Sequence, residues 1–196
     1  MSNSLQLTNI GELVTANSAG VERYQNSSLC IEDGKISSIS DRNGDQIIDC
    51  GGKMVTAGFV DSHTHPVFYN KRDEEYRMRL AGATYEEIAE KGGGIISSVE
   101  GVRNASKEAL VEKVMQRMDR FIAGGTTTIE AKSGYGLNTD SELKSLSVID
   151  EVNQNHPIDM VPTFMGAHAF PKEFSNDHDA YIDLICNEMI PAVTDQ

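Results

Sequence analysis

Residues 58–68 read GFVDSHTHPVF, an apolar run that ends in two histidines one residue apart. His63 and His65 are two of only five histidines among 196 residues. In a strand, side chains at i and i+2 share a face, so this spacing aims both imidazoles at one point. On a helix the same two residues would diverge by roughly 200° and could not hold one ligand together. Two neutral imidazoles suit zinc, iron or nickel better than calcium or magnesium. Asp61 lies on the same face and can serve as a partner to a ligating ring. Taken alone, H-x-H fits a polar strand end at least as well. What favours a site is the apolar stretch before it, MVTAGFVDS (54–62), which reads as a strand buried on both faces of a parallel sheet. Parallel α/β folds place their chemistry at the carboxyl ends of such strands.

Upstream, residues 1–53 read as short strands. LCIEDGKISSIS (29–40) sets Asp33 and Gly34 between two alternating runs, the dipeptide of tight hairpins. Downstream the period changes. SKEALVEKVMQRMDRFIAGG (106–125) carries Leu110, Val111, Val114, Met115, Met118, Phe121 and Ile122 at helical spacing, opened by Ser106 and closed by Gly124 and Gly125. TTTIEA (126–131) is a β-branched strand. TDSELKSLSVIDEVNQN (139–155) opens with the capping-box pair Thr139 and Glu142 and continues as an amphipathic helix. IDMVPTFM (158–165) reads as a strand and DAYIDLICNEMI (179–190) as a helix. Strands alternating with helices after a β module imply a parallel α/β architecture, either a barrel or an open sheet.

A net charge of −13 argues against a nucleic-acid backbone or an anionic membrane as partner. No run reaches the roughly 18 apolar residues of a membrane span, and MSNSLQLTNI carries no secretory pattern. Cys30, Cys50 and Cys186 are too scattered for a disulfide framework or a zinc knuckle, which suits a reducing cytoplasm.

GGKMVTAGFVDSHTHPVF (51–68) resembles the signature of the amidohydrolase superfamily, in which a β-sandwich strand leads into a first barrel strand ending in a metal-binding H-x-H. Three further blocks are similar to the imidazolonepropionase family of histidine degradation: NKRDEEYRMRLAGATYEEIAEKGGGI (70–95), TTTIEAKSGYGLNTDSELKSL (126–146) and VPTFMGAHAFPKEF (161–174). The resemblance runs through nearly the whole chain. It implies a small β-sandwich module at 1–53, then the first units of a partial TIM-type (β/α) barrel at 54–196. The implied activity is hydrolysis of the cyclic amide C–N bond of 4-imidazolone-5-propanoate to N-formimino-L-glutamate, with one divalent metal, zinc or iron. Carried over residue by residue, His63 and His65 are metal ligands, and Arg72 takes the substrate propionate. Tyr135 donates a hydrogen bond to the substrate, His168 contacts it and polarises its carbonyl, and Tyr85 is a second hydroxyl near the propionate. A homodimer is also implied by the family.

Without the resemblance these residues have plainer readings: a solvated Arg72, a half-packed loop Tyr135, a satisfied core His168 or a third metal ligand. Lys132 reads as structural, KGGGI (91–95) as a mobile loop over the site, and His156 and His178 as surface residues. The family's remaining histidine and aspartate ligands and its glutamate base match no motif here. The roughly 140 residues after the β module fall short of the about 250 of a closed eight-stranded barrel. The chain is therefore expected to be the N-terminal half of a longer enzyme and inactive by itself. Two other readings stand beside this one: another cyclic amidase or deaminase of the superfamily, indifferent to loss of Arg72, and a non-catalytic truncated relative that binds metal.

Overall fold

In the computed structural model, residues 4–40, 44–90 and 93–196 are described, apart from the side chains of Tyr85, Ala89 and Glu90. The chain divides into two units, Met1–Gly58 and Phe59–Gln196.

The first unit is a mixed sheet of β1 (Ser4–Asn17), β2 (Gly20–Glu32), β3 (Lys35–Ser38), β4 (Gln46–Asp49) and β5 (Met54–Thr56). Its order is β3-β2-β1-β4, with β5 also on β1. β1 runs antiparallel to β2 and parallel to β4 and β5. Its register slips between Leu7 and Ile10, where Asn9 has a φ of 51°, the kink of a bulge. Asp33 and Gly34 both have positive φ, 50° and 75°, as a two-residue hairpin between β2 and β3 requires. Ile10, Leu13 and Leu29 form the core. Residues 54–56, expected to begin the strand that leads to the histidines, instead pair with Glu12, Leu13 and Val14 of β1. The division falls at 58/59, not at 53/54, because the backbone groups of 54–56 are satisfied on the first sheet.

In the second unit, β6 (Phe59–Thr64), β7 (Thr126–Lys132) and β8 (Asp159–Thr163) form a parallel sheet in that order. Between β6 and β7 lie α1 (Asp73–Leu80), α2 (Tyr85–Glu90), α3 (Ile95–Asn104) and α4 (Lys107–Ala123). α5 (Thr139–Asn155) joins β7 to β8. Leu110, Val114 and Met118 of α4 and Val148, Ile149 and Val152 of α5 close on Ile129, Ala131 and Met160 of the sheet. Ser106 caps α4 as expected, its hydroxyl accepting from the Ala109 N–H at 3.2 Å. After β8 the chain makes a short turn at Gly166–His168 and then a helix, α6 (His178–Leu184). α6 widens into a π-helical turn at Ile185–Met189 and ends as α7 (Ile190–Thr194).

Two local expectations change. The strand carrying the histidines is not buried on both faces: Phe59 is 61% and Val60 69% exposed, and β6 is an edge strand. Glu142 is not the partner in a capping box. Asn138 caps α5 by accepting from the Ser141 N–H at 2.8 Å, and the Glu142 carboxylate turns back onto the loop after β7.

Candidate metal and substrate site

The site is built where β6 and β7 end and where the chain turns after β8. Thr64 ties β6 to β7 by donating to the Glu130 carbonyl at 2.5 Å. One residue on, Nδ1 of His65 lies 2.9 Å from the Ser133 carbonyl oxygen. A carbonyl only accepts, so His65 carries its proton on Nδ1 and leaves a lone pair on Nε2. His168 is held the same way, with Nδ1 at 2.9 Å from the Gly134 carbonyl. The two rings stack with centroids 4.4 Å apart and planes 13° from parallel. The Tyr135 ring lies 5.2 Å from each of them. His63 joins as an edge neighbour of His65 at 6.2 Å, at 76°, and is exposed. Asp61 bonds the His63 backbone N–H at 3.2 Å rather than an imidazole.

Burial, and then the nearby His168, hold the His65 pKa below the ordinary histidine value, with His63 and Lys132 adding to the effect and the Ser133 bond opposing it. The ring is neutral at pH 7, the form a metal needs. Burial pushes the Tyr135 phenol up, partly offset by the Arg72 charge. Tyr135 therefore stays a hydrogen-bond donor within reach of Arg72's field.

Arg72 precedes α1 and is exposed. Its Nε donates to Oε2 of Glu75 at 2.6 Å, and the other Glu75 oxygen accepts from the Gly94 N–H at 3.0 Å. A cavity of about 700 Å³ is bordered by His65 and Arg72 together with Lys71, Arg117 and Arg120. Tyr135 and His168 do not line it, so it adjoins the aromatic cluster rather than containing it. Arg117 lies 3.4 Å over the Phe68 ring and donates to the Pro66 carbonyl at 3.0 Å. Burial, with Arg120 adding, lowers its pKa to about 10, still fully cationic at neutral pH.

The structure thus brings His63, His65, Tyr135 and His168 together, and Arg72 borders the same cavity as His65. The backbone of Tyr85 opens α2, but its side chain lies outside the described residues, as do Lys91 and Gly92 of KGGGI. Lys132 is buried and ion-paired with Glu130, and Glu130 also accepts from the Thr163 hydroxyl at 2.9 Å. His178 is exposed against Phe170. His156 is not a surface residue: its side chain is 5% exposed, with Nδ1 accepting from the Ile158 N–H at 3.1 Å and Nε2 facing Asp119 at 3.3 Å. It ties down the turn that leads from α5 into β8.

His63 and His65 have the donor chemistry of a borderline metal, and the anchored Nδ1 of His65 is the arrangement a ligating histidine uses. Among the described residues no group of three or more histidine, cysteine, aspartate or glutamate side chains could hold a metal. The pair therefore fits as two members of a ligand set that needs more donors. Sequence reasoning missed the two carbonyls that orient the rings and the Glu142 carboxylate behind them. The signal was the glycine on each side of Tyr135, since Gly134 has a φ of 105°.

The amidohydrolase family pattern matches residues 46–133. The chain is 44% identical to an imidazolonepropionase of Herpetosiphon aurantiacus, over 95% of this chain and 47% of that protein. It is 47% identical to an imidazolonepropionase of Brevibacillus brevis, over 86% of this chain and 42% of that protein. Among solved structures it resembles the atrazine chlorohydrolase of Arthrobacter aurescens TC1, solved with zinc, at a TM-score of 0.60 and 15% identity over 82% of this chain and 35% of that one. That likeness is one of fold. By sequence the chain is similar to imidazolonepropionases, and it spans about half the length of the curated relatives it matches.

Proposed function

We propose that the protein acts as an imidazolonepropionase, hydrolysing the cyclic amide C–N bond of 4-imidazolone-5-propanoate to N-formimino-L-glutamate. The observation that carries this reading is the convergence of His65, His168 and Tyr135 beside the Arg72 charge. His63 and His65 would hold one divalent metal, zinc or iron, completed by donors beyond the described residues. When bound, such a metal supplies hydroxide at neutral pH and polarises an amide carbonyl.

The chain's own residues do the rest. Arg72 presents a guanidinium to the substrate propionate, a planar fork matched to a carboxylate, and Glu75 holds it at the head of α1. Tyr135, protonated at neutral pH, donates to the substrate, and Tyr85 supplies a second hydroxyl near the propionate. His168 meets the ring through Nε2, because Nδ1 is committed to Gly134. A neutral His168 accepts a substrate N–H at that atom. It donates to a carbonyl there only as imidazolium. Residues 59–196 would be the first units of a barrel, and a homodimer in the cytoplasm belongs to the same reading.

Arg72→Ala tests the carboxylate assignment. With metal-loaded protein expressed from the longest reading frame, KM for the propanoate should rise about 10- to 100-fold, the loss of one charge-assisted pair. kcat should stay within a few-fold. An unchanged KM would point to another cyclic amide as substrate.

A further inference from the structure

Glu142 is fully buried, at 0% exposure, and its carboxylate accepts three backbone N–H groups of the loop after β7. Oε2 takes Gly134 N at 2.9 Å; Oε1 takes Gly136 N at 2.7 Å and Leu137 N at 2.8 Å. Two of these amides belong to peptide groups whose other end is also held. The peptide that gives the Gly134 N–H to Glu142 gives its carbonyl, that of Ser133, to His65. The peptide that gives the Leu137 N–H gives its carbonyl, that of Gly136, to Nε of Arg103 at 2.7 Å. Arg103 also donates, through Nη2, to the Leu137 carbonyl at 2.9 Å. The Gly134 carbonyl, between these two peptides, holds His168.

The loop needs holding. Leu137 sits at a φ of 52°, a left-handed conformation that costs a branched side chain energy. A Cβ on Gly136 would come within 2.6 Å of the Glu142 nitrogen, and one on Gly134 within 2.9 Å of the His168 Cβ. The turn is therefore pressed against both α5 and His168, gripped by an anion on its N–H side and a cation on its carbonyl side. An amide that donates to a carboxylate also makes its own carbonyl a stronger acceptor.

We infer that Glu142 is a positioning residue for both histidines. Through the peptide groups of this loop its carboxylate fixes the carbonyls that hold His65 and His168 as Nδ1–H tautomers, which keeps Nε2 of each ring for a ligand. The inference rests on the proposed function only for what the rings then do.

The test is a long-range ¹H–¹⁵N spectrum of the imidazoles in the ¹⁵N-labelled chain, at a pH where the rings are neutral. In the unmodified chain His65 and His168 should each show the single Nδ1–H pattern. His156, whose Nδ1 accepts, should show the opposite one and serves as internal reference. Glu142→Gln sets an amide N–H₂ against backbone donors and should mix the two tautomers at His65 and His168, leaving His156 and His178 unchanged. A folded Glu142→Gln chain that keeps both single tautomers would overturn the inference. So would an Nε2–H pattern at either ring in the unmodified chain, a result that needs no variant to fold. Because the readout requires neither metal nor turnover, intact tautomers in a protein without hydrolase activity would count against the proposed function alone.

Discussion

His65 gives up hydration to stack on His168 while its Nδ1 donates to a carbonyl. Burial is the main reason that its pKa lies below the ordinary value. The folded chain therefore binds this proton less readily than the unfolded chain. The stability tied to His65 is complete above the unfolded value of about 6.5 and is lost as pH falls through the lower folded value. Thermal melts between pH 8 and pH 5 should show Tm falling in the acid half of that range, and more shallowly in His65→Asn. Equal slopes would contradict the assignment. Gly134 supplies a second residue-scale test. An alanine there is strained by its φ of 105° and also meets His168 and the Met165 carbonyl, each at 2.9 Å, whereas Gly82, at a φ of 94°, has open space. Gly82→Ala should cost about 1 kcal/mol in urea unfolding, and Gly134→Ala about 1–3 kcal/mol more. Equal losses would mean that the loop can move off His168.

α4 was readable in the sequence because everything local agrees there: a serine cap, apolar residues at helical spacing and a glycine pair at the end. Met118, on its buried stripe, has no exposure, and Met118→Ala should cost about 2–5 kcal/mol. Ser106→Ala, which removes one capping acceptor, should cost about 1 kcal/mol. Denaturant midpoints for the two variants check the ranking, and a larger loss at the cap would contradict it. α5 shows how a correct helix start can hide a different function. The Thr139 and Glu142 spacing matches a capping box, yet the carboxylate goes to Gly134, Gly136 and Leu137, amides that no short-range rule connects to it. β6 was misjudged for a related reason. Its apolar residues fit a strand covered on both sides, but coverage depends on neighbours, and Phe59 and Val60 stay exposed on an edge strand. The H-x-H pair was legible because period-two geometry is local. Its convergence with Tyr135 and His168, dozens of residues away, was reached only through resemblance.

Across the whole chain, a net charge of −13 coexists with apolar surface on the second sheet, where Phe59, Val60 and Val161 are each more than half exposed. An apolar edge strand is a template for association. Light scattering at rising concentration should show self-association, reduced in Val60→Lys; scattering unaffected by that charge would place the association elsewhere. The two imidazoles, with no third donor group among the described residues, and the match to about half the length of the imidazolonepropionases lead to the same measurement. It is the loss of 4-imidazolone-5-propanoate ultraviolet absorbance on adding protein from the longest reading frame, loaded with zinc or iron, beside His65→Ala. The unmodified protein should turn the substrate over, and turnover should fall at least about 10³-fold in the variant, since a bound metal would supply both the nucleophile and the polarisation. Equal turnover by both proteins, or none by the unmodified one, would contradict the proposed function.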